Sequence, residues 1–279
     1  MSLAGFFTIT RPLNAIVAGL AAVIAYIIAT GTVIPGVLLL FVVVTLITAA
    51  GNVINDYFDV EIDRVNRPDR PIPSGQVILP AARAYALVLF VTGIFVCFFT
   101  NELCIAIAVF NSLLLIAYAA RLKRTPLFGN ITVSFLAASM FLFGGALNGL
   151  PGLFHVLPFA VMTFFAMLAR ELVKDGEDVE GDKASGAVTI PIRYGIKATM
   201  ILALFCAVLG VVASLAPYLW WGFWYIIGIL PVDGIILYAC IKAVRCTTPS
   251  DVKASGASTL LKAGMFASLV IFTLSALFL

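Results

Sequence analysis

Long apolar stretches constrain this chain more than any other feature. Nine segments, at roughly residues 12–30, 36–56, 82–100, 103–120, 130–149, 154–173, 197–215, 220–242 and 258–278, each approach the ~20 residues a helix needs to cross a hydrocarbon layer. Backbone N–H and C=O groups find no partners in lipid, so a chain that crosses it repeatedly must do so as helices or as a closed barrel. Segments this long and this uniformly apolar choose helices. The chain is 62% hydrophobic and only 11% charged, against about 25% charged in a soluble domain. The stretch after Arg11-Pro12 lacks a small-residue cleavage site bounded by polar sequence, so it reads as a permanent first helix. The expected fold is an all-α integral membrane protein in the cell membrane, a single domain over 1–279 with nine transmembrane helices in a bundle.

The basic residues fix an orientation. Arg11 precedes the first segment, while Arg64, Arg67, Arg70 and Arg83 follow the second. Arg121, Lys123 and Arg124 follow the fourth, Arg170, Lys174, Lys183, Arg193 and Lys197 flank the 6–7 connection, and Lys242, Arg245, Lys253 and Lys262 flank the 8–9 connection. Numbered alternately, all 17 basic residues fall on one side of the membrane. Lys and Arg accumulate on the cytoplasmic side, so the N-terminus and this charged face are expected there. A formal charge of +3, spread along the chain, argues against nucleic acid. Nothing in the sequence calls for an obligatory protein partner. The five cysteines show no metal-ligand spacing and read as small hydrophobes.

Acidic residues are concentrated in two places, and the two places match. Asp56, Asp59 and Asp63 recur as Asp175, Asp178 and Asp182, a shift of 119 residues. Val60-Glu61 recurs as Val179-Glu180, and Arg64 becomes Lys183. Four segments separate the copies, an even number, so the repeat is parallel, with halves carrying their motifs at 52–64 and 171–183. At ~100° per residue, Asn52, Asp56, Asp59 and Asp63 share an arc of about 60° on one helix face, as do Glu171, Asp175, Asp178 and Asp182. Like charges at that spacing repel. A divalent cation removes the repulsion, and Mg²⁺ favours a few carboxylates together with substrate phosphate oxygens. Two facing stripes would hold Mg²⁺ around a diphosphate.

Basic groups suited to the same ligand lie nearby. "RVNRPDRPIPSG" carries Arg64, Arg67 and Arg70 on a loop stiffened by Pro68, Pro71 and Pro73, and guanidinium grips phosphate bidentately. "AYAARLKRTP" brings Tyr118, Arg121 and Lys123 to the same side. A diphosphate head at the membrane face and helices that shelter an apolar tail describe an amphiphile. A metal-bound diphosphate is also a leaving group, and an allylic cation left behind must be kept from water. Asp233, in "LPVDGIILY", is an acid near mid-membrane. It either meets substrate or bonds a neighbouring helix.

These motifs resemble the UbiA superfamily of intramembrane prenyltransferases, over nearly the whole chain. The resemblance rests on NDxxDxxxD from Asn55 to Asp63, DxxDxxxD from Asp175 to Asp182, and Tyr118 with Lys123. It implies that Asp56, Asp59, Asp63, Asp175, Asp178 and Asp182 hold Mg²⁺ and act in catalysis with Lys123. It further implies that Asn55 and Tyr118 lie at the substrate, and the helix faces and basic stretches add Asn52, Arg67, Arg70, Arg121, Glu171, Lys174 and Lys183 as candidate substrate-binding residues. "TRPLNAIVAG", "NDYFDVEIDRVNRPDRPIPSG" and "KDGEDVEGDKASGAVTIPIRYG" most resemble the archaeal geranylgeranylglyceryl phosphate geranylgeranyltransferases, although chlorophyll synthases share RPIPSG and an EGD segment. The first of these implies transfer of a geranylgeranyl group to a prenylated glycerol phosphate, forming the second ether bond of archaeal membrane lipid. Arg11, Lys123 and Arg67 are candidates for the acceptor's phosphate, and Asn14 for a substrate contact. An aromatic or chlorin acceptor is the alternative within the superfamily. A cation-coupled transporter is opposed by acids that cluster at one face instead of the midplane.

Overall fold

The computed structural model describes residues 1–184 and 186–279, and every regular element among them is helical apart from a short 3₁₀ turn at Leu122–Arg124. The α-helices in order are α1 (Leu3–Ile9), α2 (Pro12–Thr30), α3 (Val37–Phe58), α4 (Val60–Asn66), α5 (Leu79–Cys97), α6 (Glu102–Ala120) and α7 (Phe128–Ala146). They continue as α8 (Gly149–Glu177), α9 (Val179–Ala184), α10 (Ile190–Ala213), α11 (Tyr218–Val244), α12 (Pro249–Ser255) and α13 (Ala257–Phe278). Among the described residues, nine spans are long and apolar enough to cross a membrane, with α12 and α13 together making the last, Pro249–Phe278. The chain is a multi-pass membrane protein.

Local chemistry sets the helix ends. Proline stands in the first turn of α2, α5 and α10, where its missing N–H is no loss. Asn101 caps α6 by accepting from the Cys104 amide at 2.9 Å. Thr248 and Asp251 form a capping box that starts α12. Several ends differ from the sequence expectation. The last span starts at 249 because that box extends it below 258, and Gly256 (φ 65°) then separates α12 from α13. α10 begins at Ile190, with non-helical backbone at Gly195 (φ 85°) where the apolar segment was expected to start near 197.

The chain divides into two compact units, Met1–Leu122 with Ser139–His155, and Lys123–Ala138 with Val156–Leu279. In the first, α3 is the central helix, packed against α2, α5 and α6. Leu40, Val43, Ala50 and Val53 of α3 are wholly buried with Phe90 and Phe143 close to it. Helices in lipid gain by close backbone approach at small residues. A β-carbon at Gly144 would run into the Ala22 carbonyl and the Ala25 side chain of α2, and one at Gly19 into Phe41 and Thr45. Asn101 reaches across to donate to the Ala146 and Leu147 carbonyls at 2.7 and 3.2 Å, satisfying acceptors at the end of α7.

In the second unit, Phe159 of α8, Trp221 and Tyr225 of α11 and Phe272 of α13 stack with ring centroids 5.0–5.3 Å apart. Asp233 lies beside them, buried, and its carboxylate accepts from the Ser214 hydroxyl at 2.6 Å. Tyr225 donates to the Ser214 carbonyl at 2.8 Å. The acid therefore bonds the end of a neighbouring helix, one of the two roles its position left open. All five cysteines are buried free thiols.

Replacing Gly144 by leucine should force α2 and α7 apart. Overpacking of this kind costs about 1–3 kcal/mol or more, so the melting temperature of the detergent-purified protein should fall. Gly181→Ala, whose β-carbon would meet nothing, should leave it unchanged.

Candidate active site

Each acidic motif straddles a helix joint. α3 ends at Phe58 and α4 begins at Val60, leaving Asp59 between them with φ −92° and ψ 1°. α8 ends at Glu177 and α9 begins at Val179, leaving Asp178 in the same place in the other motif. A stripe drawn on one unbroken helix is therefore only approximate. Helical hydrogen bonds nevertheless bridge both joints: the Asp59 amide donates to the Asn55 carbonyl at 3.0 Å and Asp63 to Asp59 at 2.8 Å. Asp178 donates to Lys174 at 3.0 Å and Asp182 to Asp178 at 2.9 Å. Aspartate is a poor interior helix residue because its side chain competes for nearby backbone groups, which suits it to a joint.

In the first unit, the motif is drawn together by two arginines. Asp56 is buried at the C-terminal end of α3, and its Oδ1 accepts from Arg11 at 2.5 Å and from Arg70 at 3.1 Å. The same Arg70 guanidinium donates to Asp63 Oδ2 at 2.6 Å. The side chains of Asp56, Asp63 and Arg70 are only 5%, 7% and 18% exposed, so these charges are largely removed from water and must neutralise one another. Asn52 secures the approach by donating to the Thr10 carbonyl at 2.9 Å. Asn55 donates to Asp59 Oδ2 at 3.0 Å, which keeps Asp59 engaged outside the arginine cluster. Arg67 is exposed at the end of α4, and Asn14 is exposed on the first turn of α2. Tyr118 and Arg121 lie at the end of α6.

In the second unit, the matched carboxylates have different partners. Asp175 accepts from the Asn130 side chain of α7 at 2.9 Å. Glu171 accepts from Arg170 at 2.6 Å, and Lys174 lies 3.8 Å from Asp178 along the helix. Burial and the charge of Asp178 push the Asp182 carboxyl above its ordinary value, with Lys174 opposing. Lys123 is half-buried in the 3₁₀ turn, and Lys183 is exposed on α9. Asn130 and Arg170 were missing from the expected site. A lone amide at the start of an apolar segment was the available signal for Asn130, and adjacency to Glu171 was the signal for Arg170.

Among the described residues, no group of three acid, histidine or cysteine side chains stands ready to enclose a metal. The donor set still suits Mg²⁺: its ligands would be hard carboxylate oxygens at helix ends. In the first motif, guanidinium groups already stand where compensating positive charge is required. The residues therefore fit a divalent cation, held by Asp56, Asp59 and Asp63 in one motif and Asp175, Asp178 and Asp182 in the other.

Comparison with known proteins agrees with this chemistry. Residues 13–270 match the model of the UbiA prenyltransferase family. A Methanoregula boonei protein named digeranylgeranylglyceryl phosphate synthase is 60% identical over 279 residues, the whole of both chains. A solved structure described as giving insights into digeranylgeranylglyceryl phosphate synthase in membranes superposes with a TM-score of 0.89 at 36% identity, covering 99% of each chain. A UbiA homolog from Archaeoglobus fulgidus, solved bound to DMAPP and Mg²⁺, shares the fold with a TM-score of 0.68 at 18% identity, over 95% of this chain and 99% of that one. The chain belongs to the UbiA prenyltransferase family.

Proposed function

We propose that the protein transfers a geranylgeranyl group from geranylgeranyl diphosphate to the free hydroxyl of geranylgeranylglyceryl phosphate, making the second ether bond of an archaeal membrane lipid. The observation that carries this reading is the full-length, 60% identity to the Methanoregula protein bearing the synthase name. The arrangement of charge in each motif supports it. The six motif aspartates serve the diphosphate through Mg²⁺, which when bound would neutralise the diphosphate and stabilise the charge that gathers on it as the allylic C–O bond breaks. Arg70 and Arg11 turn their fork geometry from carboxylate to phosphate oxygens. Lys123, Arg67, Arg121 and Lys183 add positive charge, and Arg11, Lys123 and Arg67 are the candidates for the acceptor's phosphate. Asn130 keeps Asp175 oriented, and Asn55 does the same for Asp59. Apolar helix faces exclude water from the prenyl cation.

We read the chain as one membrane domain, 1–279, whose motif-bearing halves form a parallel repeat. The common position of the two helix joints, at Asp59 and Asp178, supports that register. Basic residues on a single side support a cytoplasmic N-terminus and a cytoplasmic-facing site.

Purified protein supplied with Mg²⁺ and geranylgeranyl diphosphate should convert geranylgeranylglyceryl phosphate to the diether, and EDTA should stop the reaction. Conversion of an aromatic acid in place of the glycerol phosphate would overturn the acceptor assignment. Asp59→Asn and Asp178→Asn should each lower kcat by roughly a hundredfold or more, since a metal's stabilisation is worth several kcal/mol. Both should melt like the native protein, because Asp178 is 57% exposed and its lysine pair is a surface one, and Asp59→Asn keeps a side-chain oxygen to accept from Asn55. Activity close to native in both variants would contradict the metal reading. Asn130→Ala removes one hydrogen bond to a carboxylate, worth about 1.5–3 kcal/mol. The Mg²⁺ concentration for half-maximal rate should rise roughly tenfold or more, with kcat largely retained at saturating Mg²⁺.

A further inference from the structure

The arginines of the first motif do something that a phosphate-binding role alone does not require. Arg70 lies across two carboxylates, with Asp63 at 2.6 Å and Asp56 at 3.1 Å, while Arg11 takes the same Asp56 oxygen from the other side. Two of the three motif aspartates therefore have their charge met by guanidinium. Neither arginine sits on a free arm. The Arg70 carbonyl accepts from the Ser74 amide at 2.9 Å, and the Pro71 carbonyl from Val77 at 2.9 Å, fixing the proline loop behind it. The Ser2 amide donates to the Gln76 carbonyl at 2.9 Å, so the loop is bonded to the helix that leads to Arg11. Arg11 itself holds left-handed backbone (φ 49°, ψ 64°) directly before Pro12. A non-glycine residue adopts that conformation only when its surroundings over-determine it.

We infer that Arg70, seconded by Arg11, closes the first aspartate motif to a bare divalent cation, so that the cation is taken up only together with a diphosphate. A lone cation entering between Asp56 and Asp63 would displace a guanidinium that is 18% exposed and leave its charge without a partner. Stranding one member of a buried pair is strongly unfavourable. A cation arriving with a diphosphate brings phosphate oxygens to which the displaced guanidinium transfers its hydrogen bonds. Metal and diphosphate then each raise the other's affinity, a coupling carried by this side chain. The inference rests on the proposed role of the motif as a metal–diphosphate site and adds the order in which that site fills.

Mn²⁺ binding to the full-length protein in detergent, followed by electron paramagnetic resonance with and without inorganic pyrophosphate and corrected for Mn²⁺ held by free pyrophosphate, tests it. Native protein should bind Mn²⁺ weakly alone and more tightly with pyrophosphate, by about 5- to 150-fold. Arg70→Gln should bind Mn²⁺ alone more tightly than native by a factor in that range, with most of the pyrophosphate enhancement lost. If Arg70→Gln does not fold, Arg70→Lys, which keeps the charge but lacks the fork that spans two carboxylates, should still bind bare Mn²⁺ more tightly than native. Arg83→Gln, an exposed arginine on α5, controls for net charge and should change bare Mn²⁺ affinity less than about twofold, as expected for a screened charge. Bare Mn²⁺ affinity unchanged or weakened in both Arg70 variants would overturn the inference and leave the metal–diphosphate site standing. No Mn²⁺ binding by native protein even with pyrophosphate would overturn both.

Discussion

Lipid offers no hydrogen-bond partners, and most of this chain follows from that constraint. The backbone is forced into helices, and charge is forced to their ends. Asp56 sits where the two regimes meet, on the last turn of a span and yet nearly inaccessible to solvent. A carboxylate there persists only with positive charge against it. Two separate pieces of chain converge on the end of α3 to supply that charge: the α1–α2 connection and the proline loop before α5. The left-handed turn at Arg11, the amide of Asn52 on Thr10 and the bonded loop around Arg70 all serve this junction.

The two motifs share a register but have different surroundings. One is held by guanidinium and the other by a carboxamide and a lysine. A guanidinium cancels charge, whereas a carboxamide only orients it. In the second motif, burial first and then the charge of Asp178 raise the affinity of Asp182 for its proton. A repeat in sequence has been fitted with unequal neighbours.

Much of this was legible beforehand. The nine spans followed from apolar length, because a hydrocarbon layer sets a minimum that few other features satisfy. The matched aspartates were legible because a shift of 119 residues preserves both residue type and helix face. The joints at Asp59 and Asp178 were not, since helical hydrogen bonding continues across each and leaves the 3.6-residue period almost intact. Partners far away in sequence were also hidden. Asn130 meets Asp175 across 45 residues, and Arg11 meets Asp56 across 45 as well. No local pattern encodes such pairs. Asp233 had two open readings, and only the position of Ser214 decides that the acid ties two helices together.

The docking of α1 has a consequence for how the protein is made. Its native partners are Asn52, Gln76 and Tyr85, the last stacked on Phe6 with ring centroids 5.2 Å apart. None of these exists when the first few residues leave the ribosome, and the most distant lies within the third span. Until they are made, the N-terminal helix lacks these contacts, and its Leu3 and Phe7 stay exposed even in the folded chain. The first motif's charge cluster thus needs chain as far as Arg70, whereas α1 gains its last partner, Tyr85, only with the third span.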